Sequence, residues 1–137
     1  MTFVAVAPAR FGIRNTSGGR FAVDDTSPNV VPSGESVPSW LPVCDVSFVS
    51  VTKVLSAPLA LCGPGADAVI LIKPQFEVGR DSIGKGGIVT DGAAIAHARD
   101  GVVAFMAGEG WPLRQTLPSP IAGGDGNKEI VALFRRG

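Results

Sequence analysis

The sequence predicts an α/β domain in which strands and helices alternate around a partly parallel sheet. Residues 41–48 have the pattern of a buried strand with the polar Asp45 near its end, and residues 68–72 are a continuous apolar run, which is typical of a strand buried on both faces of a parallel sheet. Residues 51–62 repeat their apolar side chains at helical spacing, and residues 93–107 are rich in the helix former alanine. The 18 glycines and 11 prolines among 137 residues exclude a long coiled coil or helical bundle.

The first 40 residues carry the weakest pattern. Residues 3–7 and 21–23 are candidate short strands, and the residues around them are rich in turn-forming Gly, Ser, Asn and Pro. The composition changes near Trp40, after which strands and helices alternate clearly. We therefore divide the chain into residues 1–40 and residues 41–137.

Two strands joined by a helix open the second segment. The strand predicted over 41–48 is followed by the helical pattern of 51–62, which Pro58 is expected to kink or shorten. The strand predicted over 68–72 stops before Pro74, because proline cannot continue a central ladder.

The remaining elements complete the predicted topology. A glycine-rich polar loop at 79–87 precedes a helix over 93–107, with Asp91 as its N-cap. Residues 111–117 and 129–134 are two strands, and the short loop between them indicates an antiparallel pair. The order strand, helix, strand, helix, strand, strand is that of the second half of a doubly wound sheet with an antiparallel edge strand.

Charge and composition limit the function classes. The 12 basic and 12 acidic residues balance, which argues against nucleic-acid binding by bulk electrostatics alone. The two cysteines fit neither a zinc site nor a disulfide framework, and the single histidine, His97, has no ligand partners at metal-binding spacing. We expect no metal. With no apolar run long enough to cross a bilayer and no signal peptide, we expect a cytoplasmic protein.

Charged side chains follow two neighbouring predicted strands. Asp45 and Lys73 stand at carboxyl ends joined by one crossover helix, where open α/β sheets bind their ligands, so the two side chains are expected to approach. A lysine beside a carboxylate in a partly dry cleft can accept a proton. Alternatively, each residue simply ends a strand at the solvent boundary. Glu129, at the start of the last strand, is a possible second carboxylate.

The loop at 79–86 has the glycine, four residues, Gly-Lys spacing of a phosphate-binding loop. However, Gly86 occupies the position where a Ser or Thr would bind magnesium, and residues 74–78 separate the loop from its strand. This favours a substrate-facing loop over nucleotide hydrolysis.

Several segments together are recognisable. The chain resembles the TlyA (hemolysin A-like) family of ribosomal RNA 2′-O-methyltransferases, which are relatives of the FtsJ group. The resemblance covers about residues 41–137 and rests on DVSFVS (45–50), IKPQFEVG (72–79), GKGGIV (84–89), and SPI (119–121) with GNKE (126–129).

The resemblance implies a partial Rossmann-like S-adenosylmethionine-dependent methyltransferase fold and ribose methylation by a Lys-Asp-Lys-Glu set. By motif, the catalytic residues are Asp45, Lys73 and Glu129. Lys73 would take the proton from the ribose 2′-hydroxyl, while the two carboxylates hold and tune the lysine. Asp45, Ser47 and Phe48 would bind S-adenosyl-L-methionine. The implied partner is ribosomal RNA or a ribosomal subunit.

The chain also departs from the family pattern before residue 41. Its first lysine is Lys53, so the first catalytic Lys has no counterpart, and the glycine pair Gly18-Gly19 makes no recognisable donor loop. We therefore expect residues 1–40 to be a diverged or truncated amino-terminal segment of the methyltransferase domain and 41–137 its carboxyl-terminal half. Whether the chain is an enzyme stays open. The alternative is a non-catalytic remnant or accessory RNA-associated module that retains the fold but not donor binding.

An incomplete sheet has a further consequence. A strand left without its neighbour exposes unpaired backbone groups and apolar surface, which promotes association. We therefore expect that the isolated chain can self-associate.

Overall fold

The computed structural model describes the backbone of three short strands before residue 40, and then residues 41–123 and 126–137. The early strands are β1 (Thr2–Val6), β2 (Ile13–Asn15) and β3 (Phe21–Val23), of which β2 had no counterpart in the sequence prediction. The predicted turns of the first 40 residues, and the pair Gly18-Gly19, lie outside the described residues.

The main sheet has five strands in the order β1-β4-β5-β7-β6. Its later members are β4 (Leu41–Asp45), β5 (Asp67–Ile72), β6 (Leu113–Pro118) and β7 (Ile130–Arg135). β4 and β5 run parallel, whereas β1 is antiparallel to β4, β7 to β5 and β6 to β7. The α/β prediction with an antiparallel edge strand is confirmed, because both edge strands, β1 and β6, run antiparallel to their neighbours. β7 is reversed relative to β4 and β5 but lies inside the sheet, so β6 runs in the same direction as the parallel pair. β2 and β3 form a separate antiparallel pair.

The strand register brings three chain segments to one end of the sheet. Cys44 on β4 lies opposite Ile70 on β5, and Ile72 lies opposite Ile130 on the reversed strand β7. The carboxyl ends of β4 and β5 therefore meet the amino end of β7. This is the end at which the predicted catalytic residues stand.

The helices differ from the prediction in two places, of which the first is the segment 51–62. The helical pattern there is interrupted and shortened, as Pro58 indicated: a 3₁₀ turn at Val51–Lys53 is followed by a separate helix α1 at Ser56–Ala60. Pro58 explains the break, because proline fits without loss only in the first helical turn, where its missing N–H has no intrahelical partner.

Two further helices follow β5. A short helix α2 (Pro74–Glu77), absent from the sequence prediction, begins with the proline that ends the strand. The 79–87 loop contains two 3₁₀ turns, at Arg80–Ser82 and Lys85–Gly87. The long helix α3 spans Gly92–Gly108, and the Asp91 side chain accepts a hydrogen bond from the Ala93 N–H, which confirms the predicted cap.

One face of the sheet packs against the helices to form the core. Alternate residues of β5 and β7 are buried there with residues of α1 and α3, and the cluster includes Ala68, Ile70, Ile72, Leu59, Val102, Met106, Ala132 and Phe134. At the opposite end of the sheet from the predicted site, Arg135 donates two hydrogen bonds to the buried Asp67. These contacts join β5 to β7.

Candidate active site

Lys73 lies at the break between β5 and α2. Its Nζ is 2.6 Å from the Asp45 carboxylate and donates to Ser47 Oγ at 3.0 Å. The lysine side chain is 12% exposed, whereas the aspartate is largely open to solvent. The expected approach of Asp45 and Lys73 is therefore confirmed, and two oxygens from the β4 side hold one amine.

An open cleft of about 350 Å³ lies beside this amine. Its lining residues come from four chain segments, namely those after β4 and β5, the glycine-rich loop and the segment before β7. They are Ser47, Phe48, Lys73, Gln75, Phe76, Ile83, Gly87 and Glu129. The carboxylate predicted from the last strand therefore shares the cleft with the lysine, while Asp45 joins them through its ion pair. Glu129 is buried. The structure thus brings the sequence-predicted residues together, although their roles remain predictions.

Phe48 has an unusual conformation at the mouth of the cleft. Its φ is 67°, in the left-handed region, and its side chain is 91% exposed. That backbone conformation costs a non-glycine residue roughly 1–2 kcal/mol. The ring lies 5.4 Å from the Phe76 ring, at an interplanar angle of 48°. A strained, outward-facing aromatic residue at a cleft is a feature of functional sites more often than of packing.

Glu77 joins the loops that follow β4 and β5. Its carboxylate accepts a hydrogen bond from Ser50 Oγ at 2.6 Å and another from the Val51 N–H at 2.9 Å. No sequence pattern predicted a role for this residue, although it lies in the IKPQFEVG segment of the resemblance. Its partners are 26 and 27 residues away, a distance that no local pattern reveals.

Asn127 joins the glycine-rich loop to the segment that carries Glu129. It is 1% exposed, accepts from the Val89 N–H at 2.9 Å and donates to the Gly87 carbonyl at 3.0 Å. Both ends of the amide group are thus hydrogen-bonded inside the protein. The place of this residue in the GNKE segment is the one sequence signal that marks it.

Gly123 leaves the room that the Glu129 carboxylate occupies. A Cβ atom built at this glycine would lie 2.6 Å from Glu129 Oε1, closer than real Cβ atoms approach other heavy atoms. The Gly123 N–H also donates to the Asn127 carbonyl at 3.0 Å, which folds the loop over the carboxylate. A side chain at this position would therefore displace the end of the Glu129 side chain.

Cys44 lies on β4 next to the site and is buried. Burial, reinforced by the charges of Asp45 and Glu77, raises the pKa of its thiol to about 11. The thiol stays protonated at neutral pH and is a poor nucleophile, because the thiolate is the reactive form.

The described residues contain no cluster of three or more His, Cys, Asp and Glu side chains that could bind a metal ion. His97 lies exposed on α3, as its position in an alanine-rich helix predicted. Within the same part of the chain, no helix combines the length and apolarity needed to span a membrane.

Comparisons with known proteins agree with this geometry. The profile of the FtsJ-like methyltransferase family matches residues 18–136. YqxC of Bacillus subtilis, whose name describes an rRNA methyltransferase, is 45% identical over 87 residues, which are 64% of this chain and 31% of YqxC. TlyA of Mycobacterium tuberculosis, a 16S/23S rRNA (cytidine-2'-O)-methyltransferase, is 39% identical over 95 residues, 69% of this chain and 35% of TlyA.

A solved structure gives the same result. A hemolysin-like protein from Streptococcus thermophilus superposes with a TM-score of 0.68 at 37% identity, over 72% of this chain and 35% of that chain. The chain thus spans about a third of the length of these relatives. The resemblance to TlyA proteins, read from the sequence motifs, is confirmed. Because the family profile covers most of the chain and includes every residue of the cleft, the chain belongs to the FtsJ-like methyltransferase family.

Proposed function

We propose that this chain forms part of an S-adenosylmethionine-dependent enzyme that methylates the ribose 2′-oxygen of ribosomal RNA. The observation that carries the proposal is the position of Lys73, whose amine is held by Asp45 and Ser47 beside a cleft that also contains Glu129. The names of the relatives support the reaction and the class of substrate.

The proposed chemistry assigns proton transfer to Lys73. In its neutral form, the amine would accept the proton of the 2′-hydroxyl as the ribose oxygen takes the methyl group. The bound donor would supply that methyl group and leave as the neutral thioether S-adenosylhomocysteine when its carbon–sulfur bond breaks. The resulting ammonium is held by Asp45 and Ser47, which already hold Nζ in this structure. Glu129, buried at the same cleft, adds a second carboxylate that stabilises the cation.

The cleft suits the methyl donor, which supplies an electrophilic methyl group when bound. Its volume of about 350 Å³ lies within the usual range for small-molecule sites. Within the described residues, Gln75 Oε1 at this cleft is buried without a hydrogen-bond partner, which suits a ligand with polar groups. We assign donor binding to Asp45, Ser47 and Phe48, which present a carboxylate, a hydroxyl and an aromatic face.

The proposal extends to the rest of the protein. Residues 41–137 are the carboxyl-terminal half of the methyltransferase domain, and residues 1–40 are its diverged or truncated amino-terminal segment. The partner is ribosomal RNA or a ribosomal subunit, and the location is the cytoplasm. Self-association of the isolated chain also belongs to the proposal, but not through an open edge of β4, because β1 pairs with that edge. The assembled cleft favours an enzyme over the alternative of a non-catalytic RNA-associated module.

Methyl incorporation tests the proposal. Labelled S-adenosylmethionine is incubated with ribosomal RNA or subunits and the wild-type chain, Lys73→Met, or the control Lys53→Met, which changes an exposed lysine outside the cleft. We expect Lys73→Met to lose about 100-fold or more of the transfer rate, the usual contribution of a proton acceptor, while Lys53→Met keeps it.

Folding and binding controls accompany this assay. Melting curves of the three proteins separate lost chemistry from lost structure, and calorimetry measures donor binding to the wild-type chain. Transfer by Lys73→Met at the wild-type rate would remove the lysine from the mechanism. A folded wild-type chain that neither binds the donor nor transfers methyl groups would establish the non-catalytic alternative for this chain.

A further inference from the structure

We propose that Glu77 is a positioning residue that holds the loop after β4, so that Ser47 and Asp45 keep the Lys73 amine in place. This inference rests on the proposed function for its catalytic consequence. Its structural part, the control of the lysine by a carboxylate that does not touch it, is testable without any activity.

The two loops are joined by contacts that run in parallel along both segments. Lys73 contacts Asp45 and Ser47, Phe76 contacts Phe48, and Glu77 contacts Ser50 and Val51. The contacts therefore follow the same order along both segments. Glu77 makes the last of these contacts, farthest along both segments from the lysine.

The two hydrogen bonds to Glu77 are the polar anchors at the far end of the loop. Ser50 also caps the 3₁₀ turn Val51–Lys53, because its hydroxyl accepts from the Thr52 N–H. Glu77 thus holds the residue that begins the turn and the backbone amide of the turn's first residue. Hydrogen bonds to a charged group are stronger than neutral ones, so this anchor holds the loop firmly.

The loop between Asp45, which contacts Lys73, and Ser50, which contacts Glu77, is short and strained. Only Val46 to Val49 separate Asp45 from Ser50, and within them Phe48 has a positive φ. A strained conformation persists only while the surrounding contacts enforce it. Release of Ser50 and Val51 lets the loop relax, which moves the Ser47 hydroxyl away from Lys73 Nζ.

Chemical labelling of lysines tests the structural part on the 137-residue chain. Lys73 is 12% exposed and ion-paired, whereas Lys85 and Lys128 are exposed, lie outside the two segments that Glu77 joins and serve as internal standards. The chain is treated with a low dose of acetic anhydride and the acetylation of each lysine is followed by mass spectrometry. We expect Glu77→Ala to acetylate Lys73 about tenfold faster with both standards unchanged, because local opening exposes the amine.

The variant Glu77→Gln separates hydrogen bonding from charge. Its amide oxygen can accept from the Val51 N–H and its amide nitrogen can donate to Ser50 Oγ, so we expect Lys73 labelling close to wild type. The exposed residue Glu109 supplies the matched control Glu109→Gln, which removes a carboxylate far along the chain at the end of α3. Glutamine at 77 that labels as fast as alanine would overturn positioning by hydrogen bonds.

Methyl transfer supplies the catalytic readout. We expect Glu77→Ala to lower kcat about 10- to 100-fold, the usual loss for a misplaced catalytic group, with a smaller change in KM and with recovery in Glu77→Gln. Wild-type kcat in Glu77→Ala would overturn the catalytic role. Faster labelling of Lys73 and both standards together with a lowered Tm would overturn it too, because the substitution would then loosen the whole fold. An inactive wild-type chain would count against the proposed function, while the Lys73 labelling would still decide the role of Glu77.

Discussion

Replacement of Asn127 by alanine is the sharpest test of how the cleft is held together. The substitution removes the acceptor of the buried Val89 N–H and the donor to the Gly87 carbonyl. Val89 is 2% exposed, so its N–H cannot form a hydrogen bond with water in the variant. Gly87 is half-buried, and its carbonyl can bond to water instead. A stranded buried donor costs about 1–3 kcal/mol and the second hydrogen bond contributes about 1 kcal/mol. We therefore expect Asn127→Ala to destabilise the fold by about 2–4 kcal/mol.

Urea denaturation measures this difference directly. The matched control is Gln115→Ala, which removes an exposed amide on the edge strand β6 and is expected to change the free energy of unfolding by less than about 0.5 kcal/mol. A loss below about 0.5 kcal/mol in Asn127→Ala would refute the reasoning, because the Val89 N–H would then have found another partner.

Three further outcomes follow from the same structure. The pKa of the Cys44 thiol is about 9 in the unfolded chain and about 11 in the folded one, so the free energy of unfolding should fall by roughly 2–3 kcal/mol as the pH rises through that interval. Urea titrations at several pH values measure this fall, which Cys44→Ala should remove. Gly123→Ala should displace the Glu129 carboxylate and lower methyl transfer about tenfold with little change in Tm, and wild-type activity would contradict the close approach. Arg135→Met should lower the free energy of unfolding by about 3 kcal/mol in urea denaturation, because Asp67 is left buried and unpaired. Adding Asp67→Asn should restore part of this loss, and an unchanged stability of Arg135→Met would contradict the prediction.

The sequence sufficed for the elements whose signals are local. The apolar run that became β5 and the Asp91 cap of α3 could be read directly, because burial on both faces and capping depend on adjacent residues. The meeting of Asp45 and Lys73 followed from topology, since parallel strands joined by one crossover are usually neighbours.

The rest depends on contacts between distant segments. Glu77 and Asn127 hold loops that lie 26 to 40 residues away, and neither belongs to a periodic pattern. Pro58 predicted that the helical pattern of 51–62 is kinked or shortened, but not that the interruption lies between Lys53 and Ser56. The insertion of β7 between β5 and β6 is likewise a matter of tertiary pairing that strand order along the chain does not reveal.

The central position of β7 has a consequence for synthesis. β5 pairs with β7 across up to 68 residues of chain, so one edge of β5 stays open after the ribosome has released it. At a usual elongation rate of about 5–20 residues per second, the roughly 60 residues between the two strands take about 3–12 s to appear. For that time an apolar strand with an unpaired edge is exposed to other nascent chains. A slow stretch of translation between β5 and β7 should therefore increase aggregation, whereas the same delay before β5 should not.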